Sequence, residues 1–211
     1  MPAPLSFSDG RVRAMAAALA QLARPNQLAV SVPFFSPTDI DRLMKHCLRL
    51  PMRTASPRVG AEGKKVIQDF DIAFPAPRER ALAELADMLE QVVAAANAQA
   101  DEPYLDVPLL LNDVAVQHYH PKSKGIGPHR DALRYRGLVF IITLAGESRL
   151  ATCDDRAGNG AVKIDDSPGN ITILSAPGFC KREGELSRPL HFVDEVTKGR
   201  LSIGLRHDSK V

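Results

Sequence analysis

No tryptophan occurs in the 211 residues, and aromatic residues of every kind make up only 5% of them. A site that clamps a flat ligand between large aromatic rings therefore has little to build from. Cysteine is as scarce. Cys47, Cys153 and Cys180 stand far apart, form no Cys-x-x-Cys pair and are odd in number. That excludes a zinc-ribbon pattern and a disulfide framework, and fits a reducing, cytoplasmic setting. No apolar run approaches the roughly 20 residues of a membrane span. Arg11 and Arg13 interrupt the Ala-rich stretch near the N-terminus, so no signal-peptide core is expected there. Charge of one sign is lacking too: 27 Lys and Arg face 25 Asp and Glu, a net +2. Any polyanionic partner must then be met by a local patch and not by the chain as a whole. With no internal repeat or low-complexity linker, residues 1–211 are expected to form a single domain.

What is present divides into a helical front, residues 1–104, and a strand-rich back, residues 105–211. Val12, Met15, Ala16, Leu19 and Leu22 recur at helical spacing over residues 9–24 and stop at Pro25. Leu28–Val32 reads as a short strand. Ser36-Pro37-Thr38-Asp39 has the order of a helix start, and Ile40, Leu43, Met44 and Cys47 give that helix one apolar face before Pro51 ends it. Arg53 to Lys65 reads as a loop, and Phe70, Ile72 and Phe74 alternate as in a half-buried strand. Leu82, Leu85, Leu89, Val92 and Val93 stripe the longest helix, residues 78–100. Strands are expected near Ala115–Tyr119, Gly137–Leu144, Arg149–Cys153, Ala161–Ile164, Asn170–Leu174, Leu190–Val193 and Leu201–Arg206, separated by turn signals such as Gly158-Asn159-Gly160 and Lys198-Gly199. The expected class is α+β: a double-stranded β-helix (a cupin-like jelly roll) with the N-terminal helices packed on its outside.

The chemistry concentrates in the back half. His129 and Asp131, spaced i and i+2, point to one side of a strand, and a distant His191 completes a 2-His-1-carboxylate set suited to Fe(II) with open positions for a co-substrate and O2. Arg200, Ser202, Gly204 and Arg206 share one strand face by even spacing, and two guanidinium forks suit a dicarboxylate. Gly204 leaves space between the arginines where a ligand would lie against the backbone. A turn near Glu195 would place His191 and Arg200 side by side on paired antiparallel strands.

The stretch Gln117-His118-Tyr119-His120-Pro121, continued by Gly125-Ile126-Gly127-Pro128-His129-Arg130-Asp131, resembles the signature of AlkB-like Fe(II)/2-oxoglutarate dioxygenases. Arg200-Leu201-Ser202-Ile203-Gly204-Leu205-Arg206 resembles that family's closing motif, and Pro168-Gly169-Asn170 through Ser175 its strand before the second histidine. The resemblance spans roughly residues 105–207. It implies Fe(II), 2-oxoglutarate and O2 as cofactor and co-substrates, with His129, Asp131 and His191 binding iron. It further implies Arg200 and Tyr119 at the distal carboxylate of 2-oxoglutarate, Arg206 near the chelating end, and Gln117 and Ser202 beside them. Gln117 stands where the family has asparagine, and Gly204-Leu205 where it has threonine and phenylalanine.

By the same resemblance the leading activity is oxidative demethylation of an alkylated nucleobase in DNA or RNA. Arg53, Arg58, Lys64 and Lys65, with Lys122 and Lys124 and the nearby Arg130 and Arg134, would form a phosphate-contacting rim. Two alternatives stand beside it: a hydroxylase of a small molecule or protein side chain on the same barrel, and a non-catalytic module binding modified nucleic acid or a protein partner.

Overall fold

The computed structural model describes residues 5–60, 62 and 65–211. Helix α1 (Asp9–Leu22) starts where Ser8 Oγ accepts the Arg11 N–H, and it buries Val12, Met15, Ala18, Leu19 and Leu22 along one stripe. Strand β1 (Ala29–Pro33) follows. Helix α2 (Pro37–Cys47) opens with a full capping box between Ser36 and Asp39, with Pro37 in its first turn.

The segment expected as a loop carries two short strands instead, β2 (Arg53–Thr54) and β3 (Arg58–Val59). Two-residue strands have no readable periodicity; they form because β4 (Val66–Asp69) and β5 (Asp71–Ala73) offer them open edges. Phe70 lies between β4 and β5, so the strand expected over Phe70–Phe74 is shorter than its alternation implied. Lys64 lies outside the described residues. Helix α3 (Arg80–Asn97) buries Leu82, Leu85, Leu89, Val92 and Val93, as their spacing predicts. Full burial of each large apolar side chain contributes roughly 1.5–3 kcal/mol.

The back half supplies β6 (Asp113–Tyr119), β7 (Gly125–His129), β8 (Tyr135–Gly146), β9 (Arg149–Cys153), β10 (Val162–Ile164), β11 (Asn170–Ser175), β12 (Leu190–Asp194) and β13 (Arg200–Asp208). The strand β7 is absent from the sequence-based expectation because Gly125, Gly127 and Pro128 read as a turn. Strands assemble into a larger sheet, β1-β11-β8-β13-β6-β5-β2, and a smaller one, β10-β9-β12-β7-β4-β3, with antiparallel pairing throughout the described ladders. This is a double-stranded β-helix.

Alternation decides what each face of the larger sheet does. Leu138, Phe140, Ile142 and Leu144 of β8, Leu201, Ile203 and Leu205 of β13, and Val114 and Val116 of β6 join the buried stripes of all three helices in one core. The intervening residues, among them Ala115, Gln117, Tyr119, Arg200, Ser202, Gly204 and Arg206, are thereby left to the inner face, toward the smaller sheet. Among the described residues no helix is long and apolar enough to cross a membrane.

Candidate metal centre and adjoining cleft

β7 and β12 bring the two histidines together. His191 is the register partner of His129, and their ring centroids are 4.3 Å apart. Asp131 is not a strand residue: β7 ends at His129, and the carboxylate enters from the segment just beyond. The i, i+2 strand geometry expected for the pair is therefore replaced by a strand end plus a turn back into the interior. One ligand atom from each of His129, Asp131 and His191 lies within 4.8 Å of the others, a set that could hold a metal ion.

Backbone contacts orient this cluster. His129 Nδ1 donates to Gly127 O at 2.9 Å and His191 Nδ1 to Pro189 O at 3.3 Å, which leaves Nε2 of each ring as the free lone pair. His191 Nε2 lies 3.8 Å from Asp131 Oδ2. Arg188, 7% exposed, donates from Nη1 to the Asp131 carbonyl, and Arg130 Nε donates back to Arg188 O at 3.0 Å. The segment carrying Asp131 is thus tied down by backbone–arginine contacts that no sequence spacing announces.

The electrostatics suit a cation. Burial, with His191 alongside, depresses His129 from 6.5 to about 4, so the ring is neutral and ready to donate its lone pair at neutral pH. Burial works against the charge on Asp131, but His191, Arg206, His129 and Arg188 outweigh it and hold the carboxyl below its ordinary value. Burial pushes the Tyr119 phenol upward, which keeps its hydroxyl protonated.

β13 supplies the arginines, though not where the sequence placed them relative to His191. β12 pairs with β7 and β9 in the smaller sheet, while β13 pairs with β6 and β8 in the larger. His191 and Arg200 are not neighbours on paired strands, because the chain crosses between sheets after Glu195 and does not fold back as a hairpin. Arg206 Nη1 donates to Asp113 Oδ1 at 2.6 Å, and its Nε, without a hydrogen-bond partner, stands 3.7 Å from Asp131 Oδ1. A Cβ at Gly204 would approach Arg206 Nη2 to 3.0 Å, so this glycine makes room for the Arg206 guanidinium while also lining the inner cavity. Arg200 is 2% exposed and its Nε is buried without a hydrogen-bond partner.

The inner cavity is lined by Gln117, Tyr119, His129, Asp131, His191, Arg200, Gly204 and Arg206, closed by Ile126, Val139, Ile141, Leu150 and Val193. Ser202 is buried beside it, in register with Gln117 and Thr143. Tyr119 is 1% exposed, its ring centroid lies 4.8 Å from that of Phe70 at a tilt of 47°, and its hydroxyl donates to the Gln117 amide oxygen at 3.4 Å. The donor set of half-buried His129, buried His191, a carboxylate and an Arg200 Nε without a hydrogen-bond partner fits a chelated divalent metal with a carboxylate ligand behind it.

A wider cleft of about 680 Å³ opens outward from His129 and Asp131 between the β2–β5 region and the β7–β8 connection. Among the described residues of the anticipated basic rim, Arg53, Arg130 and Arg134 line it, joined by Arg156 and Arg206, and Asp131 is the one acid among the described residues of the wall. Arg58 and Lys124 face a different hollow, beside Pro57 and Ile67. Lys65 and Lys122 are exposed and do not line the cleft. Sequence reasoning missed Arg156, Arg188, Asp113 and Asp166. The carboxylates among them earn their place by cross-strand register or a loop return, for which one chain gives no signal.

The sequence matches no protein-family model, and no curated protein is significantly similar to it. The fold, by contrast, is shared with many solved structures. A prolyl-4-hydroxylase from Pseudomonas putida matches at TM-score 0.64 and 18% identity, over 92% of this chain and 98% of the other. A prolyl hydroxylase from Trichoplax adhaerens, solved with a fragment of the hypoxia inducible factor oxygen degradation domain, matches at 0.66 and 15%, over 95% and 92%. OsALKBH1 matches at 0.61 and 16%, over 87% and 98%. The architecture is that of the 2-oxoglutarate–Fe(II) oxygenase fold, with AlkB-type and prolyl-hydroxylase-type structures both among its neighbours. At these identities the likeness defines the fold and leaves activity to the chemistry of the site.

Proposed function

We propose that this protein is an Fe(II)- and 2-oxoglutarate-dependent oxygenase, carried by one observation: His129, Asp131 and His191 converge within 4.8 Å at the inner end of an open cleft. Fe(II) with 2-oxoglutarate and O2 supplies the oxidising chemistry when bound, coupling decarboxylation of the keto acid to succinate with hydroxylation of a substrate C–H bond. The three ligands hold the metal. Arg206, held by Asp113, stands toward the chelating end of the keto acid. Arg200 and Tyr119, flanked by Gln117 and Ser202, meet the distal carboxylate. The apolar wall of Ile126, Val139, Ile141, Leu150 and Val193 keeps bulk water from the keto acid.

For the substrate we favour an N-alkylated nucleobase in single-stranded DNA or RNA, whose N-methyl group leaves as formaldehyde after hydroxylation. Arg53, Arg130 and Arg156 lend the cleft wall positive charge on a nearly neutral chain, while Arg134 and Arg206 in the same wall are paired with Asp208 and Asp113. Phe74 in the same wall, 36% exposed, offers a ring face to a base. Hydroxylation of a protein side chain is the second reading, supported by the peptide-bound prolyl hydroxylase among the fold neighbours.

The test is succinate formation from 2-oxoglutarate with Fe(II) and O2, in the presence of an N-methylated single-stranded oligonucleotide or a proline-containing acidic peptide, with Asp131→Ala as control. Methyl loss that requires Asp131 supports the nucleobase reading. Peptide mass gain replaces it with the second. Absence of Asp131-dependent succinate under every condition, from protein verified to carry iron, sinks the enzyme reading and turns attention to a binding role.

A further inference from the structure

Arg200 reaches the interior already paired. Its side chain is 1% exposed, and its Nη1 lies 2.9 Å from Asp166 Oδ2, on a side chain that is itself 9% exposed. Nη1 also donates to Thr143 Oγ1 at 2.8 Å, and Thr143 Oγ1 donates to the same Asp166 oxygen at 3.0 Å. Three buried side chains close a ring of hydrogen bonds.

The position of Asp166 is built into the β10–β11 connection. Asp165 Oδ1 accepts from both the backbone N–H and the hydroxyl of Ser167, and Asn170 Nδ2 donates to Asp165 O. This fixes the turn and delivers Asp166 inward from it.

A buried guanidinium with no counter-charge is strongly unfavourable, and Asp166 relieves that in the free protein. The same pairing changes what an incoming carboxylate meets, because it adds a second anion to a guanidinium whose charge is already balanced. We propose that Asp166 is an internal counter-ion that sets the affinity and selectivity of this site for the distal end of a 2-oxo acid. The distal carboxylate must share Arg200 with Asp166 or displace it. A dicarboxylic keto acid therefore gains less here over a monocarboxylic one than it would at a lone arginine. The inference rests on the reading of the cavity as a keto-acid site.

The experiment is calorimetric titration of the Mn(II)-loaded protein, which binds without turning over. The ligands are 2-oxoglutarate and 2-oxopentanoate, in which a methyl group replaces the distal carboxylate. A buried polar site with no internal counter-ion rejects such an analogue by about 10,000-fold or more. With Asp166 in place the expected preference is below about 1,000-fold, and a larger wild-type ratio overturns the proposal without any variant. Asp166→Asn keeps an acceptor for Arg200 and Thr143 but removes the charge. It should tighten 2-oxoglutarate by about tenfold and leave 2-oxopentanoate unchanged. A ratio that stays constant or falls in the variant makes Asp166 a support for Arg200 only, and overturns the proposal while the keto-acid reading stands. Failure of both ligands to bind wild-type Mn(II)-loaded protein overturns that reading and this inference with it.

Discussion

His191 of β12 is the register partner of His129 of β7, and each ring turns its Nδ1 to the backbone carbonyl two residues before it. The pairing of the two strands brings the histidines together, and the segment after β7 adds Asp131 to complete the candidate metal centre.

Removal of His191 should therefore cost more than removal of its supports. His191→Ala is expected to weaken Mn(II) or Co(II) binding by more than about 100-fold, and Arg188→Ala, which frees the Asp131 carbonyl, by roughly 10- to 100-fold. Titration followed by the Co(II) spectrum checks both. Equal losses in the two variants would place Arg188 among the ligands' equals and contradict the geometry.

The metal-free protein should lose stability on acidification in a window set by His129. Its folded pKa is depressed to about 4 from 6.5 by burial and by His191. Between these values the unfolded chain binds a proton that the folded one refuses, so stability present above about 6.5 is lost as pH falls toward about 4. Burial lowers His118 and His207 in the same direction, so they add to the slope. Thermal unfolding across this range should show the loss, and His129→Gln should flatten it. An unchanged slope in that variant would assign the acid sensitivity elsewhere.

Gly125→Ala should separate the two strands. Gly125 has φ +77°, and an added Cβ would come within 1.8 Å of Val193 O on β12. Strain and the clash together should cost at least about 3 kcal/mol. The loss is read as the denaturant midpoint, and metal binding should fall with it. A variant of wild-type stability would mean that the β7–β12 pairing is looser than its register implies.

The cleft arginines should make oligonucleotide binding salt-dependent. Arg53→Ala is expected to weaken single-strand binding and to reduce the slope of log affinity against log salt by about 0.7, the share of one phosphate contact. Fluorescence anisotropy at several salt concentrations measures it. An identical slope in the variant removes Arg53 from the phosphate path.

How much was legible follows the kind of signal each feature left. The helices were readable because their apolar stripes recur every three or four residues and Ser36-Pro37 marks a start. The strands β6, β8, β9, β11, β12 and β13 were readable from alternation and from the turns between them. The strand β7 was not, since glycine and proline in Gly125-Ile126-Gly127-Pro128 mimic a turn while the backbone still pairs. The short strands β2 and β3 were not either, because partner edges alone create them.

The sequence by itself determined the residue types of the site: two histidines, an acid and two arginines, with period-2 spacing that kept Arg200 and Arg206 on one face and Leu201, Ile203 and Leu205 on the other. Local chemistry and period are carried by neighbouring residues, so one chain suffices to read them. Only the tertiary structure decided that His191 lies opposite His129 and not beside Arg200, that Gly204 makes room for Arg206, and that Asp113 and Asp166 are the carboxylates facing the two arginines. Those relations depend on which strands pair and on which sheet each crossing enters. Such choices are settled by burial summed over the whole molecule, and no single stretch of sequence contains that sum.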